Sequence, residues 1–273
     1  MTGAVQHLEP VPRRLVVNAD DLGLTRGVTE GVLHAARHGI VTSASLMVRA
    51  PGAEHAGRAV RALPGLSVGL HLDLAEWVHD GEQWRPLYEV VDTEDADAVA
   101  GELDRQLDRF VGLVGRPPTH LDSHQHVHRS VPVAGLVHAA AARLGVPVRG
   151  GDGGPGGPAL AYRGDFYGQT GKGEPYREAI TVAALCAVIA GLPSGTTELG
   201  CHPGFSDDLD SVYALERDVE ARVLCAPLVL QAVRDAGVEL VPMPGARESS
   251  PVLRTERDVL SAPGAEHRRS DRR

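Results

Sequence analysis

RLVVNADDLG (Arg14–Gly23) sets a compact apolar strand, β-branched at its centre, directly before Asn18, Asp20 and Asp21. Gly23 and Thr25 then stop the strand and open a helix. That helix carries Val28, Val32, Leu33 and Ala36 on one side and ends at Gly39. A strand, a polar carboxyl end and a helix: the same unit recurs outward along the chain. IVTSASLMV (40–48) reads as a second strand, followed by a helix that ends near Leu63-Pro64-Gly65. In LSVGLHLDL (66–74), Val68, Leu70, Leu72 and Leu74 alternate with Gly69, His71 and Asp73, the two-residue period of a strand.

A long amphipathic helix with Leu103, Leu107, Phe110, Val111 and Val114 on one stripe leads to the strand PTHLDSH (118–124). An alanine-rich helix then ends at Gly145 before VPVR (146–149). TTELGCH (196–202) and GVELVPM (237–243) are the last strands, separated by a helix around Asp218–Ala236. This β-α-β rhythm implies a parallel sheet, closed as a barrel or open with helices on both faces. The glycine-rich excursion at 149–158 should be mobile near the mouth of any site. Without internal repeats or linkers, one domain over 15–245 is expected between an extension at 1–14 and a polar, flexible tail at 246–273.

Length and composition agree with one large α/β domain of 273 residues. A formal net charge of -9 argues against nucleic acid or anionic lipid as partner, and 4% aromatics against base-stacking platforms. Three scattered cysteines, Cys186, Cys201 and Cys225, suit a reducing compartment rather than a disulfide framework. The N-terminus lacks the apolar core of a signal peptide, and no stretch approaches the roughly 18 apolar residues of a membrane span. A cytoplasmic location is expected.

In parallel α/β folds, functional groups collect at the carboxyl ends of strands. Four strands here end in suitable groups: Asn18, Asp20 and Asp21; His71 and Asp73; Asp122 and His124; and His202. Neighbouring residues on an extended strand point to opposite faces, so Asp20 and Asp21 reach one site only if the backbone turns, which Gly23 makes easy. Two close carboxylates resist joint ionisation unless a cation neutralises them. One would then ligate the metal and the other accept a proton, unless one merely caps the following helix. His71 has glycine at position 69, which leaves room beside an imidazole. In HLDSHQHVH (120–128), His124 is the best ligand candidate; His128 borders the site, and His126 has no assigned role. His202 fits a fourth ligand, a general acid or a structural residue.

Five segments carry a family resemblance: VNADDLG, GIVTSASLMV, VGLHLDL, PTHLDSHQHVH and ELGCHPGF. In that order the chain resembles the YdjC-like carbohydrate deacetylases, a group with enzymes acting on chito-oligosaccharides and a branch tied to hopanoid biosynthesis. The likeness implies a distorted, seven-stranded (β/α) TIM-like barrel related to polysaccharide deacetylases. It implies one divalent cation, Mg²⁺ or Zn²⁺, held by Asp21, His71 and His124, with Asp20 as general base and His202 as acid or oxyanion partner. Asn18, Asp73, Asp122, His128 and Arg49 would support the site or meet the substrate, an N-acetylated sugar; homodimers are expected from relatives. The chain departs from the pattern at Leu22, where Phe is common, at Gln125, where a third histidine is common, and at Arg49, where Asn is common. The rival expectations are a metal-dependent phosphoesterase, which needs two or three metals, and a sugar-binding module without catalytic power.

Overall fold

The computed structural model describes residues 11–151 and 160–243. In chain order the strands are β1 (Arg13–Leu22), β2 (Ser43–Leu46), β3 (Ser67–Leu72), β4 (Ala75–His79), β5 (Trp84–Glu89), β6 (Leu121–Ser123), β7 (Leu160–Arg163), β8 (Gly195–Cys201) and β9 (Val238–Leu240). The helices are α1 (Arg26–His38), α2 (Ala53–Arg61), α3 (Ala96–Val114), α4 (Val133–Leu144), α5 (Val182–Ala190), α6 (Ala214–Leu224) and α7 (Pro227–Asp235). Seven strands form one sheet, six in the order β6-β3-β2-β1-β8-β7 and β9 added beside β1, every pairing parallel; β4 and β5 make a separate antiparallel hairpin.

β1 is the spine of this sheet. It is buried from Leu15 to Leu22, with β8 along one edge. The other edge is shared: β9 pairs with Arg13–Leu15 and β2 with Asn18–Leu22. Among the described residues no ladder joins β7 back to β6, so the sheet curls into a half-barrel, the distorted barrel the motifs imply. Capping follows the sequence closely. The Thr25 hydroxyl accepts the Val28 N–H at 3.1 Å, and Gly115 and Gly145 end α3 and α4 with left-handed φ of 79° and 70°.

Two local expectations need correction, and VPVR, to which the sequence assigns no element, takes a definite place. The single helix around Asp218–Ala236 is two, α6 and α7, because Pro227 has no N–H to continue α6 and instead starts α7. VPVR makes only a bridge from Val148 to Leu121, with the Arg149 N–H donating to the Leu121 carbonyl at 3.0 Å. Gly69 makes room for the ring of His120, not of His71: a methyl group there would overlap the His120 imidazole. That ring is pinned on both sides, by the Ser45 hydroxyl at 3.0 Å and the Thr119 hydroxyl at 2.9 Å. Gly69→Ala is therefore expected to destabilise by ~1–3 kcal/mol, as overpacking does. Urea unfolding checks it; an unchanged midpoint would mean the ring swings aside freely.

Residues 152–159 of the glycine-rich excursion, and the ends at 1–10 and 244–273, lie outside the described residues, and with them the expectations placed there. No helix among the described residues is long and apolar enough to cross a membrane.

Candidate active site

Four strand ends open into one cavity of about 640 Å³, lined by Asp20, Asp21, His71, His124 and His202. The pairing of β1 with β2 is irregular between Ala19 and Leu22, and Asp21 has a left-handed φ of 60°. The turn that brings both carboxylates to one side thus falls on Asp21 itself, ahead of Gly23. An aspartate tolerates that conformation better than most residues, because its short polar side chain bonds locally.

The two oxygens of Asp21 have different partners. Oδ2 accepts a bond from the Arg217 guanidinium at 2.6 Å. Oδ1 faces His71 Nε2 at 3.2 Å and His124 Nδ1 at 3.2 Å. The other ring nitrogen of His71 donates to Asp122 at 2.8 Å, the carboxylate-histidine arrangement that orients an imidazole towards a metal. Burial opposes a charge on His71, but Asp122 and Asp21 on either side raise it to about 10. Burial likewise works against an ionised Asp21, yet Arg217, His124 and His71 hold it well below the usual carboxylate range. Donor atoms of Asp21, His71 and His124 all lie within 4.8 Å of one another. The Nε2 of His124 is buried without a partner, with Glu76 3.9 Å away. This is a donor set that fits a single divalent cation. A second group, Asp20, His71 and Asp122, is equally close, but Arg149 already supplies its positive charge.

Arg149 was not foreseen as a site residue. Its side chain is fully buried and contacts three carboxylates: Asp20 bidentately at 2.6 Å, Asp122 at 2.7 Å and Glu198 at 2.7 Å. Asn18 adds a bond to Asp20 at 2.9 Å and one to Ser45 at 2.8 Å. Despite burial, Arg149 and His71 keep Asp20 below its ordinary pKa. His202 Nε2 stands 3.7 Å from the other oxygen of Asp20. Burial lowers His202 to about 4 against the pull of Asp20 and Asp21, so it is neutral in the free protein. Its ring packs against Tyr167 and Tyr213, while Glu220 accepts both its backbone N–H and the Tyr213 hydroxyl at 2.5 Å.

Around this centre, the expected neighbours divide. Asn18 and Asp122 touch the site residues directly. His128 is buried against Ser123 at 2.7 Å, does not line the cavity, and burial lowers it to about 4. Asp73 and Arg49 pair with each other at 3.1 Å outside the cavity, Asp73 also accepting the Tyr88 hydroxyl at 2.9 Å. His126 does line the cavity, beside Tyr162. Arg217, Glu220 and Glu198 had no distinguishing pattern in the sequence. Arg149 had one faint signal, its position at the end of VPVR.

Comparison with known proteins gives the family and the fold. A family model described as YdjC-like protein matches residues 14–235. A chitooligosaccharide deacetylase of Serratia marcescens is 37% identical over 242 residues, covering 82% of this chain and 95% of that protein. A carbohydrate deacetylase of Geobacillus stearothermophilus is 32% identical over 252 residues, covering 85% and 97%. Among solved structures, an Enterococcus faecalis V583 protein, provisionally described as a cellobiose-phosphate cleavage protein, superposes with a TM-score of 0.64 at 22% identity over 85% of this chain and 98% of that one. A polysaccharide deacetylase of Bacillus cereus gives 0.50 at 13% identity over 88% and 96%. At such identities the structural matches speak to the half-barrel fold.

Proposed function

This chain belongs to the YdjC-like protein family, and on that premise we propose that it is a metal-dependent hydrolase removing the acetyl group from an N-acetylated sugar. One observation carries the reading: the close donor set Asp21, His71 and His124 shares its cavity with a buried carboxylate, Asp20, and a neutral imidazole, His202, that stand 3.7 Å apart. A divalent cation held by those three donors would supply Lewis-acid activation of water and of the acyl carbonyl. Two imidazoles and one carboxylate suit Zn²⁺ or another transition ion better than Mg²⁺, which favours an all-oxygen shell.

The remaining chemistry belongs to side chains. Asp20, kept ionised and oriented by Arg149 and Asn18, takes the proton of the attacking water. His202 delivers a proton to the departing sugar amine. Being neutral at rest, it must first acquire one, and Asp20 Oδ2 is the adjacent source. Water, amide and enzyme then balance: one water proton reaches the amine, the other leaves on acetic acid, which ionises to acetate in solution, and both residues return to their starting states. Tyr167 and Tyr213 pack around His202 and narrow the access of bulk water to it.

The test is acetate release from N-acetylglucosamine, di-N-acetylchitobiose and longer oligomers, with and without chelator. Chelator should abolish release, re-addition of Zn²⁺ or Mg²⁺ should restore it, and metal analysis should find one equivalent per chain. Release untouched by chelator, or no release from any acetylated sugar, would overturn the reading. A two-metal phosphoesterase is disfavoured because Arg149 fills the second donor group. Asp122→Asn should weaken metal binding by about 10–100-fold through loosened His71, the usual effect of losing such a supporting partner. Metal titration checks this.

A further inference from the structure

The hairpin β4–β5 stands outside the β-α rhythm and forms one rim of the cavity. Its register pairs Trp77 with Pro86 and His79 with Trp84, so Trp77, His79 and Trp84 share one face. All three line the cavity. Trp77 is 39% exposed and Trp84 49%, whereas the core is built mainly of Leu, Val and Ala.

Aromatic residues are scarce in this chain: two Trp, five Tyr and three Phe. Both tryptophans and three of the tyrosines, Tyr162, Tyr167 and Tyr213, face this single cavity. The tyrosines have partners: Tyr167 stacks on Tyr213 at 4.7 Å, and Tyr162 lies under two guanidinium groups. Among the described residues the indoles have no such partner, apart from the edge of His79 against Trp84 at 5.4 Å. Broad apolar surface left bare at the mouth of a polar site points to a ligand. A pyranose ring matches it, with C–H groups on its face for an indole and hydroxyls on its edge for water.

The platform is also fixed in place. Gln125 donates to the Trp77 carbonyl at 2.8 Å and accepts the Trp77 N–H at 2.9 Å, so its side chain acts as one more rung beside the strand. It is the residue next to His124 and has a left-handed φ of 49°. On the other strand, Tyr88 is tied to Asp73 just beyond β3. Both strands of the hairpin are thereby anchored to segments that carry the metal donors.

We propose that Trp77 and Trp84 form an outer subsite that stacks the sugar adjacent to the one being deacetylated, with Gln125 as the positioning residue that holds this platform to the His124 segment. The sugar-deacetylase reading above is its basis. Because Trp77 and Trp84 are the only tryptophans, fluorescence excited at the red edge, where indole absorbs and tyrosine does not, reports on this platform alone. Titrating the wild-type protein and Asp20→Asn with di-N-acetylchitobiose and tri-N-acetylchitotriose should give a saturable change, at concentrations about tenfold lower than N-acetylglucosamine requires. In turnover, Trp77→Ala and Trp84→Ala should each raise KM for the dimer by about tenfold, the scale of one good aromatic contact, and leave kcat within about twofold. Gln125→Ala should raise KM in the same manner and shrink the fluorescence change. Fluorescence that ignores the oligomers, or answers monomer and dimer alike, overturns the subsite, and needs no variant to fold. So do tryptophan variants that lose kcat at unchanged KM. A fluorescence response without acetate release would leave the platform standing and sink the deacetylase reading; acetate release with silent fluorescence would do the reverse.

Discussion

Asp20→Asn is expected to lower acetate release by about 10²–10⁴-fold or more while metal content stays at one equivalent, since a positioned base contributes on that order. The substitution is nearly isosteric. Asn can still accept from Arg149 at one oxygen, as Asp20 does at 2.6 Å, but it cannot take up a proton. The metal donors Asp21, His71 and His124 keep their contacts, since none of them is bonded to Asp20. Asp21→Asn should behave differently and lose metal and activity together, because Oδ1 of Asp21 faces both imidazoles. Acetate assay, metal analysis and a melting midpoint on the same preparations separate the cases. Wild-type turnover by Asp20→Asn would move the base elsewhere in the cavity.

The contrast between these two neighbours also explains how far the sequence could be read. β1 was visible because a strand buried on both faces needs an unbroken apolar run, and Leu15–Val17 supply it. Asp20, Asp21, His71, His124 and His202 were visible because strand ends in such sheets converge, and all five do line one cavity. Their chemical roles are a proposal that the assays above address. What stayed hidden was set by contacts distant in the chain. Arg149 is 129 residues from Asp20, and nothing local tells a buried arginine from the many on the surface. Glu198 lies in TTELGC, where strand alternation permits either face, and Glu220 and Arg217 read as ordinary polar positions of α6. The hairpin was missed for another reason. Its strands are half-buried or exposed, with Pro86 interrupting the alternation, so neither period stands out.

The largest stability effect is expected from Arg149→Met. In the wild type one guanidinium, wholly buried, serves Asp20, Asp122 and Glu198. Even with it present, burial raises Glu198 to about 7. Removing one partner of a buried ion pair costs ~3–5 kcal/mol, because the other charge stays behind unpaired. Here three carboxylates are left, against a total stability of ~5–15 kcal/mol for a typical domain. The variant should unfold in urea at a much lower midpoint and populate unfolded chain near 37 °C. The deficit should depend on pH. Unpaired carboxylates in the folded variant titrate above their unfolded values, so folding binds protons and the variant loses stability as pH rises. Asp20 and Asp122 in the wild type are held below their ordinary value of 3.8, so their stabilisation is already complete above it and stays flat as pH rises further. The gap between the two proteins should therefore widen from pH 5 to pH 8. Arg149→Lys separates charge from shape: a compact ammonium restores part of the stability but not the two-point grip on Asp20, so the fold should recover more than the turnover. Equal urea midpoints for Arg149→Met and wild type at pH 8 would show that the three carboxylates need no shared cation, and Asp20 would then owe its orientation to Asn18 alone.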